Sequence, residues 1–549
     1  MNTRMSTATL FGLAILIVTL GSLFSYFVHN PEIGIDDANI TQVYAKNIAD
    51  GFGYVYNQGG ERVEGSTSWI WTIVNTGFFL LNNDPEKLIA IFCYLIIVLT
   101  VYESLRLIRH FSSTFEINVA VASTLLGSFL ISYTSFFAWT VWALMDVTLW
   151  TYFFTLIVSR FSTTLINFDH TTYSNSSIWA LCASLATLPL IRPEGIAVSI
   201  GFSILFLAIS HLNNLAYLRK ALLITLFTSL ILIAILTLWR IQHFGFPVPN
   251  TFYAKVSTDY LSQLIQGIIY IVRYLSEPTI IVQLIFSLGL IGYVYSVSRH
   301  TFQYSNSLAI VWLSALFGIF SLYIALGGDH FGSARQYQVL TPVLSTLASL
   351  GVALLISNVN QQIDVKNILF RKQFWISSIV ISVMFVFIPS IAYYTKDKGK
   401  IDHEFRLAEN GRAIGTLLNQ LPSKPSLGVM AAGGIARTYD GHIYDLMGLN
   451  WTSMAHANRV HNPNAPKNHA AFSKDVFYDH YPDIVLPELG KCVSYYGEHP
   501  DSFHNRAVNG MLLEERFKAK YVRACFKEVT FYIKKDLFKN LSSILRLAN

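Results

Sequence analysis

The sequence predicts a polytopic α-helical membrane protein with about eleven transmembrane helices and a C-terminal α/β domain outside the cytoplasm. Three observations carry this. Hydrophobic residues make up 53% of the 549 residues and charged residues only 13%, against about 25% charged in a soluble domain. Successive apolar runs approach the roughly 20 residues that cross a bilayer. The chain then turns polar at about Thr395 and stays so to its end. The net charge of +6 does not point to nucleic acid, because Lys and Arg are scattered rather than gathered in a patch.

The expected spans lie at about 8–28, 87–107, 117–134, 145–160, 178–191, 196–212, 221–239, 277–297, 306–326, 338–357 and 374–394. The first is read as a retained span: its apolar part is too long for a signal peptide, and no small-x-small cleavage site follows. Arg4 precedes it, which sets the N-terminus in the cytoplasm. Odd spans then run outward. The cytoplasmic ends this implies carry Arg106 and Arg109, Arg160, Arg219 and Lys220, Arg299, and Lys366, Arg371 and Lys372. Each is basic, as the positive-inside rule requires. The outer ends carry Asp36, Asp37, Asp146, Glu194 and Asp329.

Residues 1–394 thus form a transmembrane domain with outer loops, and residues 395–549 form one soluble domain. In the latter, "EFRLAENGRAIGTLLNQL" has helical spacing. "SLGVMAAGGIARTYDGHIYDLMGL" reads as strand, Gly-rich turn and strand, and "PDIVLPEL" as a further strand. Cys93 and Cys182 fall in spans. Cys492 and Cys525 are the two in the outer domain, where a disulfide persists, and they are expected to pair.

The stretch "GIDDANITQVYAKNIADGFG" after the first span is acidic and amphipathic. Ile40, Val43, Tyr44, Asn47 and Ile48 share a helical face, and Gly51 and Gly53 end the run. Asp37 stands where an N-cap would stand, so one reading is a capped helix on the membrane surface. Capping needs one acid, and Asp36 lies beside it. Adjacent carboxylates at a low-dielectric boundary raise one pKa and suit one group to accept a proton.

These residues resemble the first outer loop of C-type (GT-C) polyprenyl-phosphate-dependent glycosyltransferases. The resemblance is to the terminal β-arabinofuranosyltransferases of mycobacterial arabinan and to pilin arabinosyltransferases. It rests on "GIDDANITQVYAKNIADGFGYVYNQGGERVEGSTSWIWT" and, in order, on "LIRPEG" (Leu190–Gly195), "FGFPVPNTFYAK" (Phe244–Lys255), "GGDHFGSARQY" (Gly327–Tyr337), "YDLMGLN" (Tyr444–Asn450), "NHAAF" and "YPDIV". Lys46 stands where the family has Arg, and "WALMD" carries Asp146 where the family has Gly-Leu-Glu.

The resemblance implies transfer of a sugar, arabinofuranose by the nearest likeness, from a polyprenyl phosphate to an acceptor outside the membrane, with inversion in one displacement. That chemistry needs a carboxylate to take the acceptor's proton and cations to hold the leaving phosphate. Asp37 or Asp36 is the expected base. Lys255, Arg192 and Arg335 are the candidates for the lipid phosphate, with Asp329, Glu194, Tyr44 and Lys46 completing the donor site. Each has a structural alternative: Lys255 as an interfacial lysine, Arg192 paired with Glu194, Arg335 paired with Asp329. Glu61, Arg62 and Glu64 order their loop, against Lys46 for example, and Trp69 and Trp71 read as interfacial anchors. His442, His456, His461, His469 and His480 show no His-x-x-x-His spacing, and neither metal nor cofactor is expected.

Two other classes compete. A transporter or flippase of a lipid-linked sugar would carry charges inside its spans and a repeat in two halves. A sensor or assembly protein would not need paired aspartates at the membrane. The charges gather at span ends and no repeat is visible, so the transferase leads. A composition rich in Asn, Ile, Ser and Thr points to a Gram-negative inner membrane and a periplasmic glycan or pilin-like acceptor.

Overall fold

The computed structural model describes residues 5–167, 175–256, 259–297, 303–362, 398–457, 465–486 and 499–547. Among them, eight helices are long and apolar enough to cross a membrane: Thr7–His29, Glu86–Thr114, Val147–Ile166, Gly195–Leu212, Ala216–Phe244, Pro278–Ser296, Ser305–Ala325 and Gly332–Ser357. A ninth is reached if Val119–Ser132 and Thr134–Trp142, bent by 75°, count as one. The expected fifth span is a shorter apolar helix, Ser176–Ile191, and contains Pro189. The expected span 374–394 lies outside the described residues, as do Arg299, Lys366, Arg371 and Lys372.

The third expected span, 117–134, is a helix that ends at Ser132 in a sharp bend. Tyr133 leaves helical geometry at φ −96°, ψ 71°, and the chain re-enters through a π-helical turn at Ala138–Trp142. Such turns recur at functional sites.

The chain packs as two compact units that interleave along the sequence. One comprises Met1–Asn30, Ala90–Ala234 and Gln266–Ile401, and the other Pro31–Ile89, Ile235–Ile265 and Asp402–Asn549. The boundary expected at 394/395 lies outside the described residues.

In the first unit, hydrogen bonds between helix ends sort the spans. Arg109 donates to Thr7, Asn213 to Ser307, and Ser357 to the carbonyl of Glu116. These are the ends that the sequence assigns to one side. At the other ends Arg192 reaches Asp146 and Arg335 reaches Met145. Each of these contacts joins ends that the sequence assigns to the same side. The core holds Trp139, Trp150, Trp312, Tyr323 and Tyr337, all fully buried. The Trp150 and Trp312 N–H groups are satisfied by Tyr323 and Ser162.

The second unit is built on a six-stranded sheet in the order β2-β1-β3-β5-β4-β6. The strands are β1 (Leu427–Val429), β2 (Ile443–Asp445), β3 (Ile484–Leu486), β4 (Tyr521–Phe526), β5 (Val529–Lys534) and β6 (Arg546–Leu547). β1 pairs in parallel with β2 and β3, while β3–β5, β4–β5 and β4–β6 are antiparallel. Side chains alternate between the two faces. Leu427, Val429, Ile484, Leu486, Phe531 and Ile533 point to one core, and Val485 and Tyr532 to the other.

The first of these cores also takes Ile40, Val43, Tyr44, Tyr54, Tyr56 and Val63. The helix Asp36–Ala49 is thus packed on most of its surface, not laid on a membrane by one face. Trp71 is likewise not an interfacial anchor, and Trp69 is half-buried. Trp71 is 1% exposed, and Trp69 stacks on Tyr54 and donates to Glu64. Cys525 is disulfide-bonded, and its expected partner Cys492 lies outside the described residues.

Candidate active site

Asp36 and Asp37 are the first two residues of the helix Asp36–Ala49, and the N-cap position falls to Ile35. Neither aspartate therefore stands at the cap, contrary to the expectation for Asp37. Both lie in the first turn, where the helix dipole favours negative charge. Asp36 is buried and its two oxygens accept backbone N–H bonds from Gly433 (3.0 Å) and Gly434 (2.7 Å). Only glycine fits at position 433, since a Cβ there would lie 1.8 Å from the Asp36 carbonyl oxygen. Burial pushes the Asp36 carboxyl up to about 6, helped by the charges of Asp37 and Asp445 and opposed by the two N–H groups. Asp37 is half-buried.

Tyr44, one face round the same helix, is fully buried. Its hydroxyl accepts the Gly65 N–H at 3.0 Å and lies 3.0 Å from the Val63 carbonyl and 3.1 Å from Asn450 Oδ1. The Asn450 side chain donates to Asp445, which also accepts from the N–H groups of Met447 and Asn450. Burial pushes Asp445, like Asp36, up to about 6. The Asn250 amide donates to the carbonyls of Gly448 (2.7 Å) and Leu449 (3.0 Å). "YDLMGLN" is thus tied to both the first loop and "PNTFYAK".

Glu64 forms a buried ion pair with Arg240 at 2.9 Å, not with Lys46. Glu61 accepts the Thr452 N–H. Lys46 pairs with Asp50 at 3.4 Å on an exposed face, where it borders a polar cavity of about 190 Å³ shared with Asn57, Arg437 and His442. Lys255 ends the short helix Asn250–Lys255 and is half-buried. Among the described residues it pairs with no carboxylate, which sets it apart from the other candidate cations.

In the first unit, Arg192 is shared between Glu194 (Nε to Oε1, 2.9 Å) and Asp146 (Nη1 to Oδ1, 3.3 Å). Arg335 binds Asp329 through Nε at 3.0 Å and Nη2 at 2.6 Å, and its Nη1 lies 3.2 Å from Met145 Sδ. Its guanidinium sits over the Phe331 ring at 3.9 Å. Three non-glycine residues flanking this cluster adopt left-handed backbone: Leu144 (φ 57°), Ser333 (φ 51°) and Ala334 (φ 46°). Such strain persists only where the surroundings impose it, and it gathers at functional sites. The structure brings Asp146, Arg192, Glu194, Asp329 and Arg335 into one cluster through the Met145–Asp146 neighbours.

Among the described residues no group of three His, Cys, Asp or Glu side chains could hold a metal ion. His461 lies outside them, and His456 stacks between Phe246 and Tyr253. Sequence reasoning missed Gly433, Gly434, Asn250, Asp445 and Arg240. The Gly pair was visible only as a turn.

No family model and no curated protein matches the chain. Solved structures do. An apo oligosaccharyltransferase of Archaeoglobus fulgidus matches with a TM-score of 0.53 at 10% identity, over 93% of this chain and 73% of that one. The oligosaccharyltransferase AglB of Archaeoglobus fulgidus, in complex with an inhibitory peptide and a dolichol-phosphate, matches with a TM-score of 0.51 at 10% identity, over 95% and 74%. ArnT of Cupriavidus metallidurans bound to undecaprenyl phosphate is similar at 14% identity over 82% and 89%, with a TM-score of 0.47. The chain has the GT-C fold of the archaeal oligosaccharyltransferases: membrane-spanning helices with a C-terminal sheet domain.

Proposed function

We propose that the protein is a membrane glycosyltransferase that moves a sugar from a polyprenyl-phosphate donor to an acceptor on the outer face of a cytoplasmic membrane. The observation that carries this reading is the pair of aspartates in the first turn of one helix, one buried and one half-buried. Asp36 has both oxygens committed to Gly433 and Gly434, while the half-buried Asp37 beside it begins the same helix. We read Asp37 as the general base and Asp36 as the residue that positions it. The archaeal protein of the same fold that was solved with dolichol-phosphate supports a lipid-phosphate donor.

In the reaction, Asp37 takes the proton of an acceptor hydroxyl as that oxygen attacks the anomeric carbon. The bond from that carbon to the phosphate oxygen breaks, the polyprenyl phosphate leaves, and the configuration inverts. Lys255, with no carboxylate partner among the described residues, is the cation best suited to the leaving phosphate. Arg192 and Arg335 are already neutralised, so they order the loops that carry them. A single displacement with a carboxylate and a cation uses no cofactor.

The sequence motifs favour arabinofuranose as the sugar and a periplasmic glycan or pilin as the acceptor. Mass spectrometry of surface glycans and pilins after deletion of the gene tests this. Loss of a terminal pentose is expected, and an unchanged glycan profile would contradict the proposal.

A further inference from the structure

We propose that the first unit binds the phosphate of an anionic phospholipid where Arg106, Arg109 and Arg160 meet. The helices Glu86–Thr114 and Val147–Ile166 both end there. A single buried carboxylate, Glu103, accepts from Arg106 Nε at 2.9 Å and from Arg160 Nη2. Arg106 also donates to Thr163 at 3.2 Å, and Arg109 reaches Thr7 at 3.4 Å. Three guanidinium groups thus gather at these helix ends, two of them on Glu103 and the third, Arg109, on Thr7, which leaves an excess of two positive charges. The next acid along the chain, Glu116, is exposed and pairs with none of them. The Nε of Arg160 is buried and has no hydrogen-bond partner. Surplus charge at the end of a span is costly unless an anion completes it.

The surrounding surface identifies the kind of anion. Ile91, Leu95 and Leu99 are exposed at four-residue spacing, so they form one stripe that runs along the helix toward Arg106. The adjoining helix Thr7–His29 exposes Phe11 and Ile15 in the same way above Thr7. The two helices touch there, through Phe11 against Tyr102 and Thr19 against Tyr94. An acyl chain lies along these stripes and brings its phosphate to the guanidinium groups, as basic pockets at span ends do. Free phosphate shares the head-group chemistry but has no use for the stripes.

The full chain in nanodiscs of phosphatidylglycerol or of phosphatidylcholine tests this, with retained lipid counted by native mass spectrometry after detergent extraction. Wild type should retain phosphatidylglycerol in preference. Arg109→Gln, which leaves the Glu103 pairs intact, should weaken retention about fivefold. Glu103→Gln should keep or strengthen it. Equal retention of both lipids, or undiminished retention by Arg109→Gln, overturns the proposal. So does complete displacement by millimolar inorganic phosphate, which would assign the site to the free anion.

Discussion

Asp36 and Gly433 are 397 positions apart in the chain, and the carboxylate of one accepts the backbone N–H of the other at 3.0 Å. The contact fixes the start of the helix Asp36–Ala49 against the turn after β1. A methyl group at position 433 would meet the Asp36 carbonyl oxygen at 1.8 Å. Gly433→Ala should therefore lower stability by about 1–3 kcal/mol, the usual cost of overfilling a packed site. Thermal unfolding in detergent measures it, and an unchanged midpoint would show that the turn yields freely.

The burial of the same carboxylate makes stability depend on pH. Burial raises the Asp36 carboxyl from 3.8 to about 6, so between those values the folded chain holds more protons than the unfolded one. Stability from this group is complete below about pH 4 and is lost as pH rises through 6, by at most about 3 kcal/mol. Asp36→Asn does not titrate. Wild type should be the more stable of the two at low pH and lose that advantage by pH 7. An advantage that grows with pH would refute the assignment.

Two of the three candidate cations outside the first loop should part company. Arg335 is the bidentate partner of buried Asp329. Arg335→Ala removes the guanidinium partner of that buried carboxylate and should cost about 3–5 kcal/mol, with partial rescue by Asp329→Asn. Lys255→Ala removes no ion pair among the described residues and should leave stability unchanged while weakening donor binding. Normal donor binding by a well-folded Lys255→Ala protein would return that lysine to an interfacial role.

Orientation is tested with fused reporters active only outside the cytoplasm. A fusion after Asp402 should be active and one after Leu218 silent, because Arg219 and Lys220 follow the latter and Arg106, Arg109 and Arg160 share its side. Reversed activities would place the aspartates in the cytoplasm.

The long apolar runs were legible because a span satisfies its own backbone and needs only length and hydropathy. The first-loop helix was legible from its periodicity, and its start was misplaced by two residues because Ile35 caps it without a side-chain bond. The bonds of Asp36 to Gly433 and Gly434, and of Glu64 to Arg240, were not legible. Each depends on a fold that brings distant segments together, and no local pattern announces it. The hairpin of β4 and β5 was passed over because Lys527 and Glu528 at its turn lack the Asn-Gly signal, although "YVRACF" and "VTFYIK" are strand-like. The bend at Tyr133 had no Pro or Gly to mark it.

The central claim is that Asp37 is the base of a lipid-dependent transferase, and an in vitro assay with a polyprenyl-phosphate sugar donor tests it most directly. Asn keeps the shape of the side chain but cannot take the proton. Asp37→Asn should abolish transfer while the protein unfolds at the wild-type temperature, whereas Asp36→Asn should transfer partially and unfold earlier at low pH. Transfer at the wild-type rate by Asp37→Asn, or by the Asp36→Asn, Asp37→Asn double variant, would contradict the account.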